Sequence, residues 1–357
     1  MALPIIIDNG SYSIRASPSS DNTPETQIPC FKGSSLHKRL SDSSTSRSEF
    51  IGQDWINNYL NLSSSHISSL TDWSQIIQHI YIHHLRLPFH DHPILMSESH
   101  FCSHQERRNL AEVLFGEFQV PSVCFASSAV LSLYATGKLH GCMLSSGYSS
   151  SFVVPIVDGY SIENATEKTN LAGKAVTDRF IKELSLSNNN VSFTSTSEHY
   201  LASKIKERVC FVSQEDGSLC HYVLPDGNVL NLGTERRSAP ELLFTPTEHG
   251  VDAPGISAMT RTVLDQCSIE ARAQLYSNIV LSGGNTLFRG FAQRLINDLS
   301  CSAPSKYTRI RVYAHKDREL SAWNGGTILA NLSSFEKFSV SRKDYEESGG
   351  RNIRFIG

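Results

Sequence analysis

Two segments of this chain repeat one pattern, and that pattern limits the fold more than any other feature. Ile5-Ile6-Ile7-Asp8-Asn9-Gly10-Ser11-Tyr12 lays onto Cys142-Met143-Leu144-Ser145-Ser146-Gly147-Tyr148-Ser149. Each reads as a buried strand, a tight turn of small residues with a glycine, and a return strand. A chain that uses the unit twice is expected to be a duplicated α/β protein with a ligand clamped between its halves. The competing explanation is chance likeness among Gly/Ser turns. At 357 residues the length suits two domains of roughly 150 residues each.

The segments between the units alternate in the same way. Trp73 to Leu85 carries Ile76, Ile77, Ile80, Ile82 and Leu85 and reads as a helix with a buried face. Ile94-Leu95-Met96 reads as a short central strand. From Glu106 to Phe118, Leu110, Val113, Leu114 and Phe118 recur at helical spacing and read as a packed helix. Ala129 to Ala135 is a further helix, with Gly137 as its stop. Hairpins are expected at Asp158-Gly159 and at Asp226-Gly227. Helices are expected over 176–184, 198–209 and 291–299, and another from Thr327 to Leu332, opened by Gly325-Gly326. The stretch 34–48 holds seven serines. It can bury almost nothing and reads as a mobile excursion.

Composition removes several function classes. Hydrophobic residues make up 39% and charged residues 19%, with a formal net charge of -3. That balance supplies real cores and disfavours a protein built to grip nucleic acid or anionic lipid. The eight cysteines are scattered without a Cys-x-x-Cys pair, so free thiols are expected in place of a disulfide framework or zinc ribbon. No run reaches the roughly 18 apolar residues of a membrane span, and the amino terminus lacks a basic start. A soluble protein without a secretory signal is the expectation. Seven of the fourteen histidines lie between His79 and His104. His79 and His83 have a legitimate ligand spacing, but the supporting acids are missing and a packed or solvated helix is preferred. There is no Gly-x-x-x-x-Gly-Lys-Ser/Thr loop and no Gly-x-Ser-x-Gly elbow, which removes P-loop and serine-hydrolase chemistry.

Three turns bare backbone N–H groups of the kind that hold phosphate oxygens. They are Gly10-Ser11, Ser146-Gly147 and Gly283-Gly284-Asn285-Thr286. Asp8 is the candidate Mg²⁺ ligand, since that ion accepts one or two carboxylates and keeps its waters. Arg15 is placed to reach a phosphate.

The order of these motifs resembles the actin family. The matching segments are Asp8-Asn9-Gly10-Ser11, 129–135, Leu171-Ala172-Gly173, Leu224-Pro225-Asp226-Gly227, Val280-Leu281-Ser282-Gly283-Gly284, 323–330 and 344–349, in order and at similar spacing. The resemblance covers nearly the whole chain. It implies the α/β fold shared by actin, sugar kinases and heat-shock ATPases, with two lobes around a nucleotide cleft. The smaller lobe would comprise 1–128 plus 316–357 and the larger 129–315. It further implies ATP or ADP with Mg as cofactor. Asp8, Gly10, Ser11, Arg15 and Gly147 would lie on the phosphate side, and Gly173, Lys206 and Glu207 on the adenosine side. Gly283, Gly284, Asn285 and Thr286 would border the nucleotide, and Asp8 would serve the metal.

The match is uneven where chemistry would occur. By the resemblance, Ser145 and Tyr148 stand where actins carry aspartates, Ser149 where they carry glycine and Phe152 where they carry histidine. Ser128 replaces a glutamine that helps place the attacking water. Tyr12 replaces a glycine, Arg15 a lysine, and Glu319 reverses the charge of a lysine. A positioned acid–base group is worth about 10²–10⁴-fold, so losing several predicts no enzyme and no catalytic residue. Glu248-His249 replaces apolar residues in the segment that plugs a filament's opposite strand. Self-assembly into filaments is therefore not expected.

The resulting expectation is a non-hydrolysing structural subunit, cytoplasmic and cytoskeletal, similar in role to the divergent actin-related subunit at the pointed end of dynactin. Its partners would be actin-like or other subunits of a larger complex, with no nucleic acid and no membrane. The alternatives are a nuclear subunit of a chromatin-remodelling or histone-acetylating complex, suggested by Tyr12, and an active ATPase on the same fold.

Overall fold

The computed structural model describes residues 2–38, 45–51, 63–66, 69–187, 193–212, 219–224, 227–301 and 309–357. The chain divides into two compact units, Met1–Thr136 with Ala322–Gly357, and Gly137–Ser321.

The first unit is organised by a mixed sheet. Its strands are β1 (Ile5–Asn9), β2 (Ser13–Pro18) and β3 (Thr26–Pro29). A small separate sheet follows, made of β4 (Phe31–Lys38), β5 (Thr45–Ile51) and β6 (Ser63–His66), all antiparallel. The main sheet resumes with β7 (Ile94–Glu98) and β8 (Ser122–Ser127). β1 runs antiparallel to β2 and parallel to β7, and β7 runs parallel to β8.

Alternation explains the unbroken Ile5-Ile6-Ile7 run. Ile5 and Ile7 enter one core with Ile94, Met96, Phe125 and the helix Leu70–His79. Ile6 enters a second core with Leu95, Cys124, Leu131 and Trp323. A sheet covered on both faces needs apolar residues at every position, since successive side chains point to opposite sides.

The second unit repeats this plan. β9 (Gly141–Ser146) runs antiparallel to β10 (Ser151–Val157), which in turn pairs with β11 (Tyr160–Ser161) and β12 (Glu167–Thr169). The hairpin β13 (Cys220–Val223) and β14 (Val229–Leu232) stands apart. β15 (Ile279–Ser282) runs parallel to β9, and β16 (Val312–Tyr313) parallel to β15. The order β2-β1-β7-β8 thus recurs as β10-β9-β15-β16. Register matches as well: Asp8 lies opposite Ser97, and Ser145 opposite Ser282. The repeat read from eight residues is a structural duplication.

The hairpin at Asp158-Gly159 forms where expected, and β13 pairs with β14 around the second turn, of which Asp226 lies outside the described residues. Asp158 and Gly159 have φ of 54° and 84°, the positive values that a two-residue turn between right-twisted strands requires. The helix Thr196–Val209 opens on a capping box of Ser195 and Glu198, and His104–Glu112 on one of Ser103 and Glu106. The expected helices at 73–85 and 106–118 each finish in a π-helical turn, Ile80–Leu85 and Val113–Glu117.

Three expectations need correction. The last large helix runs Ser321–Ala330, so Gly325 and Gly326 lie inside it and do not open it. A Cβ on Gly325 would sit 1.8 Å from the Leu131 carbonyl oxygen, and one on Gly326 would meet Ile6 and Leu95. The glycines serve close packing, which outweighs their poor helix propensity. The unit boundaries also shift. Residues 129–136 stay with the first unit because Leu131 packs with Ile6 and Trp323. Residues 316–321 stay with the second, where Arg318 bonds Thr286. Finally, 34–38 and 45–48 of the Ser-rich stretch lie in β4 and β5, where the ladder satisfies the backbone. Residues 39–44 lie outside the described residues.

The carboxy-terminal residues form two further strands on β8. β17 (Val340–Ser341) is antiparallel to it and β18 (Phe355–Ile356) parallel.

Candidate functional site

In the first unit the turn between β1 and β2 is held from several directions. The Asp8 carboxylate accepts from Ser97 Oγ at 2.5 Å through Oδ1 and from Arg15 Nη1 at 3.2 Å through Oδ2. Both ends of that ion pair are nearly enclosed, with side chains 10% and 12% exposed. Register explains the pair: Arg15 lies opposite Asp8 across the antiparallel ladder. The neighbouring Asn9 accepts from the Trp73 indole N–H at 3.0 Å, and its own N–H donates to Ser97 Oγ at 3.3 Å. The Gly10 carbonyl accepts from Cys30 Sγ. Burial pushes that thiol up to about 12, leaving it a neutral donor. A Cβ at Gly10 would stand 2.6 Å from the Ser13 carbonyl oxygen, so only glycine lets the chain turn here. Ser11 and Tyr12 complete this turn, both half-buried.

In the second unit, turns distant in sequence join into one cluster. The Asn285 amide donates to Gly147 O at 2.6 Å and to Ser146 Oγ at 2.9 Å. The Gly173 N–H donates to Gly147 O at 2.9 Å. Gly283 has φ 87°, and a Cβ there would stand 2.4 Å from the Ser146 carbonyl oxygen. Ser146 and Ser151 share a 2.8 Å hydrogen bond, and Ser151 Oγ donates to Leu171 O. Thr286 is fixed by Arg318, whose guanidinium reaches both its hydroxyl and its carbonyl. Gly284 faces open space.

Lys206 closes the cluster from below. Its ammonium is buried and donates to Gly173 O at 3.1 Å and Thr177 Oγ1 at 2.9 Å. Burial lowers its pKa to about 8. A desolvated ammonium resting on neutral oxygens is a costly arrangement, and it leaves one of three protons for another acceptor.

The sequence-derived residues therefore fall into two groups. Asp8, Gly10, Ser11 and Arg15 share the first turn. Gly147, Gly173, Lys206, Gly283, Asn285 and Thr286 share the second cluster, with Gly284 beside it. Glu207 is exposed, and its carboxylate accepts from Lys204 at 2.9 Å and from Ser203. Sequence reasoning missed Ser97, Trp73, Cys30 and Arg318. Ser97 had a signal, since it occupies the place in the first unit that Ser282 holds in the second.

The histidine-rich segment gathers three rings. His79 lies 4.6 Å from His83 and 5.4 Å from His84, centroid to centroid. Among the described residues no three His, Cys, Asp or Glu side chains form a metal-ligand set. Among them too, no helix is long and apolar enough to cross a membrane.

The actin family model matches residues 2–355. The chain belongs to the actin family. An "Actin-like protein" of Neurospora crassa is 34% identical over 366 aligned positions, covering 97% of this chain and 96% of that protein. The twin sheets and the family agree on a two-lobed actin fold.

Family membership implies a nucleotide and its magnesium, and the residues fit these two unequally. Lys206 with a proton to spare and the open face over Gly284 suit an anionic, hydroxyl-bearing molecule. The metal finds less. Asp8 already neutralises Arg15 and accepts from Ser97. Its structural twin in the second unit is the hydroxyl of Ser145, which carries no charge to share with a hard cation. The first turn does not fit a protein-held magnesium ion.

Proposed function

We propose that this actin-related protein is a structural subunit that does not hydrolyse ATP and acts within a cytoskeletal assembly in the cytoplasm. The carrying observation is the substitution at the second turn. The duplicated sheets pair Asp8 with Ser145, and the second member of the pair is a hydroxyl. Ser128, the first residue of the helix Ser128–Tyr134, is likewise too short to orient a distant water. Hydrolysis needs an oriented water and a held metal, and the side chains at both posts are unsuited to the task. What survives is a two-lobed scaffold.

A scaffold of this kind suits an adaptor or end-capping role. Glu248 is exposed on the turn Pro246–His249, where a filament contact would call for an apolar anchor. The assembly we favour is dynactin-like, with this chain at the pointed end beside actin-like subunits in microtubule-motor transport.

Two measurements test the reading. Phosphate release from Mg-ATP by the purified protein should stay at background, and turnover comparable to ordinary actins overturns it. The Ser145→Asp/Ser128→Gln double variant should regain measurable turnover. Affinity purification with mass spectrometry should recover dynactin components; recovery of remodeller or acetyltransferase subunits in their place assigns the protein to the nucleus.

A further inference from the structure

The buried guanidinium of Arg15 does more than neutralise Asp8. It spends Nη1 on Asp8 Oδ2, while its Nε is buried and has no hydrogen-bond partner among the described residues. A guanidinium carries five N–H donors in a rigid fork, and a buried unsatisfied donor on a charged group is expensive. Such a donor calls for an oxygen acceptor from outside the protein chain. The group lies beside the Gly10 turn, and the oxygen geometry that matches a guanidinium fork is that of carboxylate or phosphate.

The other side of the pair argues against a metal in this place. Asp8 is the only carboxylate of the turn, and its two oxygens serve Ser97 and Arg15. A cation brought to Asp8 would face the positive charge of Arg15 about 3 Å away, where like charges repel strongly in an enclosed site. The twin position adds a neutral serine.

From this we infer that the first-unit turn binds a polyphosphate without magnesium, with the unused N–H donors of the Arg15 guanidinium holding phosphate oxygens that a metal ion would otherwise help to hold. Asp8 then acts as a positioning residue: it holds Arg15 in the turn, and Ser97 holds Asp8. The inference rests on the proposed non-hydrolysing scaffold, but it fails separately from it. Hydrolysis is read by phosphate release, and metal dependence by equilibrium binding.

The probes are ATP and inorganic pyrophosphate, titrated calorimetrically into the full chain in magnesium and again in EDTA. The dissociation constants should agree within about threefold, a difference small against the tenfold that 1.4 kcal/mol represents. Arg15→Ala should weaken binding by about 10- to 100-fold, the range for losing a charge-assisted hydrogen bond. Arg15→Lys keeps the charge beside Asp8 and so guards against misfolding; it should lose less. Asp8→Asn keeps the acceptor for Ser97 while releasing the guanidinium, and should tighten binding in EDTA. A loss of tenfold or more on removing magnesium, or a comparable loss in Asp8→Asn confined to magnesium buffer, overturns the inference. So does the absence of saturable binding in both buffers.

Discussion

Lys206 gives the sharpest stability test, because its burial links folding to pH. Its pKa falls from the ordinary 10.5 to about 8 on folding, chiefly through desolvation. A depression of that size corresponds to about 3 kcal/mol of burial cost. Between pH 8 and 10.5 the unfolded chain holds the proton and the folded chain does not. Stability attributable to this group therefore rises with pH across that window, and the full cost applies below it. Integrated from pH 7 to 9.5, the gain is about 2 kcal/mol. Lys206→Met removes the linkage. It also leaves the Gly173 and Thr177 oxygens without their ammonium donor, at about 1–3 kcal/mol, although Thr177 Oγ1 continues to donate to Gly173 O. Wild type and variant should thus unfold at similar urea concentrations at pH 7, and the wild type should pull ahead as the pH is raised. Urea midpoints for both proteins at half-unit steps from pH 7 to 9.5 measure the difference. A difference that stays flat across the window refutes the argument, because it would mean that the ammonium is solvated in the folded protein.

Three further substitutions follow from the packing and hydrogen bonds. Gly325→Ala drives a methyl into the Leu131 backbone, so the thermal midpoint should fall by an amount equivalent to about 1–3 kcal/mol of overpacking or more; an unchanged midpoint would contradict the helix–helix approach. Asn285→Ala breaks the bonds to Ser146 and Gly147 and should cost about 1–3 kcal/mol by urea unfolding, with faster amide exchange at Gly173. Glu98→Ala removes the buried partner of Arg107, whose guanidinium lies 3.8 Å over the Phe355 ring. It should cost about 3–5 kcal/mol and raise amide exchange in β18, which a merely surface pair would not do.

The three-isoleucine strand shows what local sequence could convey. An apolar run ending in Asp-Asn-Gly forces a buried strand into a turn, because the backbone must be paired and the next residues cannot be buried. The same logic found β9 and, through Asp158-Gly159, the hairpin after β10. The Gly325-Gly326 pair shows the limit. Glycine in sequence signals a break in a helix, whereas here it marks where another backbone passes too close for a Cβ. No local pattern distinguishes those two uses.

The site divides along the same line. The residue types at its turns and the duplicated unit were written in the chain, since each turn depends on a residue and its immediate neighbours, whereas the lost acid at Ser145 was marked only by the resemblance to actins. The tertiary structure alone decided what those residues touch. It set Ser97 against Asp8 through a parallel crossover, placed Asn285 on Gly147, and sank Lys206 beneath Gly173. Those pairings span tens to more than a hundred residues, and they exist because each sheet must bury its apolar faces under its own covering helices.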